Sequence, residues 1–384
     1  MQKKTIFLLP FPPPQAGPEA IAYELVNSET IKQRNDVIII NSSLKNSNKD
    51  KGKFDLVGLK RFFCIVFQLL KNFRKVDTVF MYFSSSKVGY FKDSIYILLC
   101  RLFRKKCIAQ YHGANFHNFY NSQSNKYKKY IEFSLGKLNK LLVLGNDIKP
   151  LFNNIYFGKI EILYNGLNLK KYSIVKPEKE NIPFTIFFMG HLIYSKGFHL
   201  IVKAYKDLYK KYGNKISFKF AGENIGFQKG TLEFLNGKWE QDFLMNGEKI
   251  NAEIQSFINN SKNFNAEYLG VISGNNKLNV LNKIDILVQP SFTEGFSMSV
   301  LEAMSVRKSV IVTPVGAMLE VVKNEENGLI TPIGNAEELK KNIEKLYEDK
   351  NLYNKISKNN VQYIKKNFDI ELIASKLLSI LNKT

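Results

Sequence analysis

The feature that most constrains the fold is a regular alternation of short β-rich runs with helical patterns along the whole chain. Strands that alternate with helices form βαβ units, whose strands are parallel and covered by helices. The alternation therefore predicts parallel sheets of the doubly wound α/β class. Strands are predicted at Thr5–Leu9, Asp36–Ile40, Val76–Phe83, Lys106–Tyr111, Leu141–Leu144, Glu161–Leu163, Phe184–Met189, Ile216–Ala221, Ala266–Leu269, Ile284–Gln289 and Ser309–Thr313.

The alternation is interrupted at Val175–Pro183, a polar stretch with two prolines that is typical of a linker. Two doubly wound domains are therefore predicted, residues 1–175 and 176–384, and the last helix, about residues 368–384, could pack back on the first. Helices are predicted at Pro18–Lys32, Lys60–Lys75, Gly89–Lys105, Lys126–Lys140, Leu200–Tyr212, near Asn251–Asn260, and at Ser299–Ser305, Ala336–Glu348, Asn351–Asn367 and Ile370–Leu381.

Composition agrees with two folded domains. A chain of 384 residues that is 45% hydrophobic and 13% aromatic can bury large cores, which excludes disorder as its main state. No apolar run approaches the roughly 18 residues of a membrane-spanning helix. Prolines cut short the apolar run that follows Lys3 and Lys4, so we expect a first strand there, no signal peptide, and a cytoplasmic protein.

Charge is distributed unevenly. The net charge is +22, and residues 1–175 carry +17 of it, from 28 Lys and Arg against 11 Asp and Glu. Residues 176–384 carry only +5, from 28 against 23. A partner with many negative charges is expected on the first half, either nucleic acid or an anionic membrane surface. Nucleic acid would call for base-stacking motifs or a known reader fold, and the sequence has neither.

Metal chemistry is not indicated by the sequence. Cys64, Cys100 and Cys107 form no CxxC pair, and the four histidines include no HExxH motif. A structural zinc site is therefore not expected, and the thiols are interpreted as buried or idle in a reducing compartment. No metal ligands and no cofactor are predicted.

Two carboxylates follow the predicted strand at Ile284–Gln289. Glu294 lies in a loop beside Gly295, and Glu302 lies about one turn into a helix that starts near Ser297. A helix N-terminus binds anions through its free N–H groups, and a carboxylate within that helix can accept both hydrogens of a diol such as ribose. The neighbours of Glu302 are apolar, so an unpaired carboxylate there would be costly. This spacing favours a binding function for both residues.

The pattern resembles the retaining glycosyltransferases of family four, which have the GT-B fold of two Rossmann-like domains facing across a cleft. The resemblance covers nearly the whole chain. It rests on motifs that occur in the family's order: Tyr111-His112-Gly113, Tyr164 to Asn168 (YNGLN), Phe188 to His191 (FMGH) with Ser195-Lys196-Gly197, Glu294-Gly295-Phe296 with Glu302-Ala303-Met304, and Lys308 to Thr313 with Asn327-Gly328-Leu329.

The resemblance implies roles for particular residues. Lys196 would bind the donor diphosphate and stabilise its charge as the glycosidic bond breaks. Glu294 would hold hydroxyls of the donor sugar, and Glu302 the ribose. His112 would lie beside the sugar from the opposite domain, which makes Glu294, Lys196 and His112 the candidate catalytic residues.

The remaining donor-binding residues are also implied by the resemblance. His191 stands where the family commonly has an arginine that shares the diphosphate, after Gly190. Backbone amides of Gly295, Phe296, Ser297 and Met298 would approach sugar and phosphate. Gly17 would let the backbone approach the phosphate or acceptor, and Val271, after Gly270, would border the base.

The function implied is retaining, metal-independent transfer of a hexose or N-acetylhexosamine from a nucleotide-diphosphate sugar to a saccharide or lipid-linked acceptor, in bacterial cell-surface polysaccharide synthesis. A UDP-sugar is favoured over a GDP-sugar. The absence of an Asp-x-Asp pair agrees with a metal-independent reaction. The alternatives are another GT-B activity, such as a sugar-nucleotide epimerase, or a non-catalytic sugar-binding partner.

The resemblance also implies that the positive first half binds the acceptor. The segments Lys60–Lys75 and Ser94–Lys106 have apolar middles and basic ends, so they suit anionic lipid as well as packing on a sheet. We therefore expect peripheral contact with the inner face of the cell membrane.

Overall fold

A computed structural model of the chain describes residues 4–13, 17–44, 56–172, 183–226, 235 and 237–383. It divides into two compact units, the first formed by Met1–Asn168 with Phe368–Thr384 and the second by Leu169–Asn367. The sequence boundary between residues 175 and 176, and most of the predicted linker at 175–183, lie outside the described residues.

The first unit contains a six-stranded parallel sheet in the order β2-β1-β3-β4-β5-β6. The strands are almost wholly apolar and β3 is buried along its entire length, because helices cover both faces of the sheet. The strands are β1 (Thr5–Leu9), β2 (Val37–Asn41), β3 (Thr78–Phe83), β4 (Lys106–Tyr111), β5 (Lys140–Val143) and β6 (Ile160–Ile162).

The second unit contains another six-stranded parallel sheet, in the order β12-β11-β10-β7-β8-β9. The two parallel sheets with their flanking helices confirm the predicted pair of doubly wound α/β folds. The strands are β7 (Phe184–Met189), β8 (Ile216–Ala221), β9 (Ala266–Tyr268), β10 (Ile286–Gln289), β11 (Ser309–Val312) and β12 (Leu329–Ile330).

Helices connect the strands in both units. Within the described residues, no helix is both long enough and apolar enough to cross a bilayer. The helices are α1 (Gly17–Val26), α2 (Glu29–Lys32), α3 (Leu56–Phe73), α4 (Lys87–Leu102), α5 (Phe116–Asn121), α6 (Asn125–Leu135), α7 (Phe198–Tyr212), α8 (Lys238–Asn259), α9 (Gly274–Lys283), α10 (Met298–Ser305), α11 (Met318–Val321), α12 (Ala336–Glu348), α13 (Lys350–Asn367) and α14 (Ile370–Asn382).

The last helix, α14, belongs to the first unit, although the whole second unit precedes it in the chain. Its apolar side packs with Phe7 and Phe80 in the core on one face of the first sheet. A Cβ on Gly166 would lie 2.8 Å from the Cα of Ile370, so glycine allows the close approach of this loop to α14.

A capping interaction also fixes α14 in place. The carboxylate of Glu371 accepts hydrogen bonds from the amides of Glu29 at 3.0 Å and Thr30 at 2.9 Å, at the start of α2. The predicted single helix at Pro18–Lys32 is wrong. Ser28 divides it into α1 and α2, because its hydroxyl caps α2 by accepting from the amide of Ile31.

Helices α8 and α9 also differ from the sequence predictions. The helix expected near Asn251–Asn260 begins much earlier, so that α8 has 22 residues. Its polar composition and the central Gly247 hide its helical period. The helix α9, which precedes β10, was not predicted, because only Leu281 of its residues is buried.

Candidate active site

The candidate site lies in the second unit, at the edge of the sheet where its parallel strands end. Loops that follow β7, β10 and β11 leave adjacent strands, so they meet at this edge. Backbone hydrogen bonds join them. The amide of Phe292 donates to the carbonyl of Ser195 at 2.8 Å, and the amide of Ala317 donates to that of Gly295 at 3.1 Å. The three loops are therefore tied to one another.

Two glycines make this close packing possible. Gly197 has a φ of +70°, and a Cβ on it would lie 2.0 Å from the carbonyl oxygen of Pro290. Gly316 has a φ of +56°, and a Cβ on it would lie 1.9 Å from the carbonyl oxygen of Glu294. Both positions need a left-handed backbone and leave no space for a side chain. Only glycine allows the loops after β7 and β11 to approach the loop after β10.

An aromatic cluster supports the loops after β7 and β10. The ring of Tyr194 stacks on His199, with centroids 4.4 Å apart, and on Phe292 at 4.9 Å. Trp239, in the first turn of α8, meets Phe292 edge-on at 4.8 Å. The hydroxyl of Tyr194 donates to the carboxylate of Asp242 on the same helix. Stacking and this hydrogen bond fix the short turn at Tyr194–Lys196.

Lys196 and Glu294 form an ion pair across two of these loops. The Nζ atom of Lys196 donates to Oε2 of Glu294 at 2.6 Å. The lysine side chain is 23% exposed and the glutamate side chain 16% exposed. Partial burial lowers the local dielectric, so the pair is stronger than a solvated surface pair. The structure thus brings together two of the three candidate catalytic residues.

Glu302 lies in α10 and is almost completely buried. Two donors contact the same oxygen, Oε1: the hydroxyl of Tyr172 at 2.8 Å and Nζ of Lys277 at 2.6 Å. No side chain or amide in the described part of the chain donates to its other oxygen, Oε2. The buried carboxylate is therefore charge-compensated on one oxygen, as the cost of burial requires, and Oε2 keeps its accepting capacity.

The segment that precedes α10 approaches the same edge with its backbone. Gly295, Phe296 and Ser297 are buried, and Met298 is half-buried at the first helical position. The Ser297 hydroxyl does not cap the helix. It lies instead 2.9 Å from the hydroxyl of Ser299. The first amides of α10 are thus not satisfied by a side-chain cap, which leaves them suited to an anionic ligand.

The loop after β7 contains the other predicted phosphate residues. The amide of Gly190 donates to the carbonyl of Ala221 at 2.9 Å, at the end of β8. His191 is exposed at the surface. Desolvation by neighbouring groups lowers the pKa of its imidazole, Glu223 opposes this shift, and Lys196 adds to it. A neutral imidazole supplies less positive charge than an arginine would at this position.

Val271 follows β9 in a loop that begins at Gly270, whose φ is +64°. Its side chain is 74% exposed, so it offers an apolar surface at the end of the sheet. Tyr268 ties this loop to the end of β8, since its hydroxyl donates to the carbonyl of Gly222 at 2.8 Å. Val271 therefore belongs to the same edge as Gly190 and Glu302.

Two predicted site residues, His112 and Gly17, belong to the first unit. His112 follows β4, with its ring centroid 3.9 Å from that of Tyr82. Both ring nitrogens are buried without a hydrogen-bond partner among the described residues. Burial lowers the pKa of His112 to about 3, so the imidazole is neutral at physiological pH. Gly17 begins α1, and a Cβ there would meet no atom within 4 Å, so packing of the described protein does not require glycine at this position.

Sequence reasoning missed Tyr172 and Lys277. Tyr172 is 130 residues from Glu302 and Lys277 is 25 residues away, so no local spacing indicates either contact. A buried glutamate among apolar residues was a signal that partners should exist. It does not identify them, because any of the many lysines in the chain could serve.

The described residues contain no group of three or more His, Cys, Asp or Glu side chains arranged to hold a metal ion. Of the three cysteines, Cys100 and Cys107 are buried and Cys64 is exposed. The expected burial of the thiols is thus confirmed for Cys100 and Cys107, and Cys64 is exposed.

Known proteins resemble the chain in sequence. The family described as glycosyl transferases group 1 matches residues 171–363, a stretch that includes Lys196, Lys277, Glu294 and Glu302. The capsular polysaccharide biosynthesis glycosyltransferase CapM of Staphylococcus aureus is 27% identical over 262 residues, which are 68% of this chain and 60% of CapM.

A transferase of Campylobacter jejuni, N,N'-diacetylbacillosaminyl-diphospho-undecaprenol alpha-1,3-N-acetylgalactosaminyltransferase, is 30% identical over 161 residues. The alignment covers 41% of this chain and 42% of that transferase. This chain therefore spans less than two thirds of the length of both of these curated relatives.

A solved structure extends the likeness to the whole chain. Anabaena HepE in complex with UDP matches with a TM-score of 0.73 at 15% identity, over 99% of this chain and 100% of HepE. At this identity the likeness concerns the fold, and with the two parallel sheets it identifies the fold as GT-B. The family match covers half of the chain and includes the paired residues at the sheet edge, so the chain belongs to the glycosyl transferases group 1 family.

Proposed function

We propose that this glycosyltransferase is a retaining enzyme of family four. It moves a hexose or N-acetylhexosamine from a nucleotide-diphosphate sugar to a saccharide or lipid-linked acceptor, in the synthesis of a cell-surface polysaccharide. The observation that carries the proposal is the arrangement of Lys196, Glu294 and Glu302 at one sheet edge. One cation and two carboxylates there match the three parts of a nucleotide-sugar donor: diphosphate, sugar and ribose.

Lys196 is the proposed ligand of the donor diphosphate. As the bond from the anomeric carbon to the diphosphate oxygen breaks, negative charge grows on the leaving group, and a fixed cation stabilises that charge. The ion pair with Glu294 supports this role, because it holds Nζ at the edge where strands end. Gly190, His191 and the amides of Gly295 to Met298 would supplement the positive charge, and we propose that no metal ion is required.

Glu294 and Glu302 are proposed to bind hydroxyl groups. Glu294 would accept hydrogen bonds from hydroxyls of the donor sugar once Lys196 turns to the diphosphate. Glu302 would accept from the ribose through Oε2, with Oε1 held by Tyr172 and Lys277. Val271 would cover one face of the base.

For the two residues of the first unit we propose separate contacts. The neutral imidazole of His112 can donate one hydrogen bond and accept another, which suits a hydroxyl group of the donor sugar. Its two unpartnered ring nitrogens support this role. Gly17, which has open space around it, would admit the phosphate or the acceptor close to the backbone at the start of α1.

In the proposed reaction the acceptor hydroxyl oxygen bonds to the anomeric carbon on the face that the diphosphate leaves. The nucleoside diphosphate departs with the bonding electron pair, and the acceptor hydroxyl passes its proton to the departing diphosphate oxygen on the same face. The configuration at the anomeric carbon is retained. The departing and attacking groups share one face of the anomeric carbon. The main tasks of the enzyme are therefore to stabilise the charge on the leaving diphosphate and to exclude water, and the reaction needs no nucleophile from the protein.

UDP is the proposed nucleoside diphosphate, with support from HepE, which was solved with UDP. The names of two relatives support the acceptor class, since one acts in capsular polysaccharide biosynthesis and the other carries a diphospho-undecaprenol sugar in its name. The +17 charge of residues 1–175 suits such a phosphorylated acceptor at an anionic membrane. We therefore propose that the protein binds the inner face of the cell membrane.

The test is transfer of label from a series of UDP- and GDP-sugars to a bacterial lipid extract. Label in the organic phase that depends on UDP-sugar, with the donor's anomeric configuration kept in the product, is the expected result, and it should persist in EDTA. Conversion of the free nucleotide sugar to its epimer without label in lipid would point to an epimerase. A preparation that binds UDP but transfers nothing to lipid or to soluble saccharides would indicate a non-catalytic protein.

A further inference from the structure

The exposed side of α3 is apolar, which is unusual for a helix that covers a sheet. Its inner side packs in the core through Ile65, Leu69 and Phe73. Its outer side exposes Phe63 to 61% and Phe67 to 67%. A surface helix normally presents polar residues to solvent. An apolar stripe on the outer side therefore indicates a surface that binds a partner or a membrane.

Cations line the same outer side. Lys60, Lys71 and Arg74 are exposed and fall at helical spacing with Phe63 and Phe67. None of the three has an ion-pair partner among the described residues. Residues 56–76 contain no acidic residue at all, so nothing on this helix compensates the positive charge.

The end of α4 extends this surface. The ring of Phe103 lies 5.3 Å from that of Phe73, which places the C-terminal ends of α3 and α4 side by side. Leu102 is 73% exposed there, and Arg101 and Arg104 flank it. We call the following set the α3 surface: Val57, Lys60, Phe63, Phe67, Leu70, Lys71, Arg74, Leu102 and Phe103.

We propose that the α3 surface docks on an anionic lipid bilayer, with α3 lying in the plane of the interface. Interfacial helices have this composition, with large apolar side chains that enter the acyl boundary and cations that remain at the headgroups. Each cation near anionic lipid strengthens partitioning roughly fivefold. The chain thus carries a membrane contact built from one helix and the end of its neighbour.

Charge argues against a second copy of the chain as the occupant. A symmetric dimer through this surface would bring Lys60, Lys71 and Arg74 of one copy against the same cations of the other. Like charges placed together weaken association, whereas anionic headgroups satisfy them. The lipid surface is therefore the occupant that suits both the apolar and the charged side chains.

This inference specifies the surface behind the proposed membrane location, and its test does not depend on sugar transfer. The full chain is mixed with vesicles of phosphatidylcholine alone, or with about one third phosphatidylglycerol, and floated through a density gradient. We expect flotation with the anionic vesicles and a loss of at least tenfold in partitioning for the Phe63→Ser/Phe67→Ser double variant.

Phe157→Ser is the matched control. Phe157 is 86% exposed in the first unit, in the loop before β6 at the opposite edge of the sheet from β2, so this substitution should leave flotation unchanged. Lys60→Gln/Lys71→Gln should weaken binding to anionic vesicles only. Because all five changed side chains are exposed, the variants should unfold at the wild-type temperature.

Cys64 gives an independent measurement. It is exposed on α3, while Cys100 and Cys107 are buried, so a polarity-sensitive fluorophore can be attached selectively. Its emission should shift to the blue with anionic vesicles and not with zwitterionic ones.

Equal flotation of wild type and the Phe63→Ser/Phe67→Ser variant would overturn the proposal. A wild-type dimer that becomes monomeric in that variant would also overturn it, in favour of self-association. Vesicle binding without sugar transfer would contradict the proposed function but support the membrane contact of the α3 surface. Transfer to a soluble acceptor without vesicle binding would support the proposed function but contradict the membrane contact.

Discussion

Lys196 and Glu294 hold each other in place, with Nζ and Oε2 2.6 Å apart between the loops that follow β7 and β10. The residue proposed to bind the diphosphate is thus fixed by the residue proposed to bind the sugar. A donor that enters must separate the two and satisfy both. The pair therefore couples the binding of the diphosphate to the binding of the sugar.

Replacing Lys196 with methionine should lower kcat by about 10²–10³, because a fixed charge at the leaving group is lost. Steady-state kinetics with saturating donor measure this. Lys203→Met is the control, since Lys203 is an exposed lysine on the neighbouring α7, and it should keep wild-type kcat.

The double variant Lys196→Met/Glu294→Gln should lose less activity than the sum of the two single losses in transition-state stabilisation, because the two residues contact each other. Independent, additive effects would speak against coupling.

Tyr172 and Lys277 should act as positioning residues for Glu302. Removing either donor with Tyr172→Phe or Lys277→Met frees Oε1, so the carboxylate is no longer held toward the ribose. We expect UDP affinity in titration calorimetry to fall at least about tenfold for Tyr172→Phe and for Lys277→Met, because a hydrogen bond to a charged group contributes about 1.5–3 kcal/mol.

The control for this prediction is another Lys–Glu pair in the same unit. Lys219 and Glu267 lie 2.8 Å apart on the protein surface, so Lys219→Met removes a pair of the same kind without touching Glu302. Its UDP affinity should equal that of the wild type. A Lys277→Met variant that also bound UDP normally would show that Glu302 needs no positioning.

Gly316→Ala should damage the site by steric contact. The new Cβ would fall 1.9 Å from the carbonyl oxygen of Glu294, so the loop after β10 must move. Gly213→Ala is a control for positive φ alone, because Gly213 has a φ of +55° and open space around it. Both variants should lose stability through backbone strain, by about 1–3 kcal/mol, and Gly316→Ala should lose more because of the steric contact. Only Gly316→Ala should also lower kcat/KM by tenfold or more, and equal activity of the two variants would exclude a role for the contact.

Acid should destabilise the second unit through His199. Burial lowers the pKa of His199 from 6.5 to about 3, so below pH 6.5 the unfolded chain binds a proton that the folded chain excludes. The free energy of unfolding is therefore highest above pH 6.5 and falls as the pH falls toward 3. This residue contributes a decrease of up to about 1.4 kcal/mol per pH unit.

Urea unfolding followed by the fluorescence of Trp239 measures this slope. Trp239 is the single tryptophan of the chain and lies in the same aromatic cluster as His199. His199→Phe keeps a ring in the stack and cannot titrate, so the free energy of unfolding should fall less steeply between pH 6 and 4. An unchanged slope would mean that His199 is protonated in the folded protein.

Strands were predictable because their signal is local. β4, β7 and β8 have the bounds predicted from sequence, since each is a buried apolar run that polar residues enclose. The helix α9 was not predictable from the sequence, because its ten residues (GNNKLNVLNK) are mostly poor helix formers and only one of them is buried.

The site was predictable only in part. Glu294, Glu302 and Lys196 follow strands and sit in recognisable motifs, so the sequence indicated them. The contact that joins Lys196 to Glu294 spans 98 residues and arises because β7 and β10 are neighbours in the sheet. The order of the strands is a property of the whole fold, and this order decides which side chains become neighbours.

The position of α14 has a consequence for biosynthesis. The core of the first unit contains Phe7, near the start of the chain, and Leu377, near its end, while residues 169–367 form the second unit. During synthesis the ribosome therefore delivers the complete second unit before the helix that closes the first. We expect one face of the first sheet to remain partly uncovered until α14 has been synthesised, a period in which it depends on chaperones more than the second sheet does.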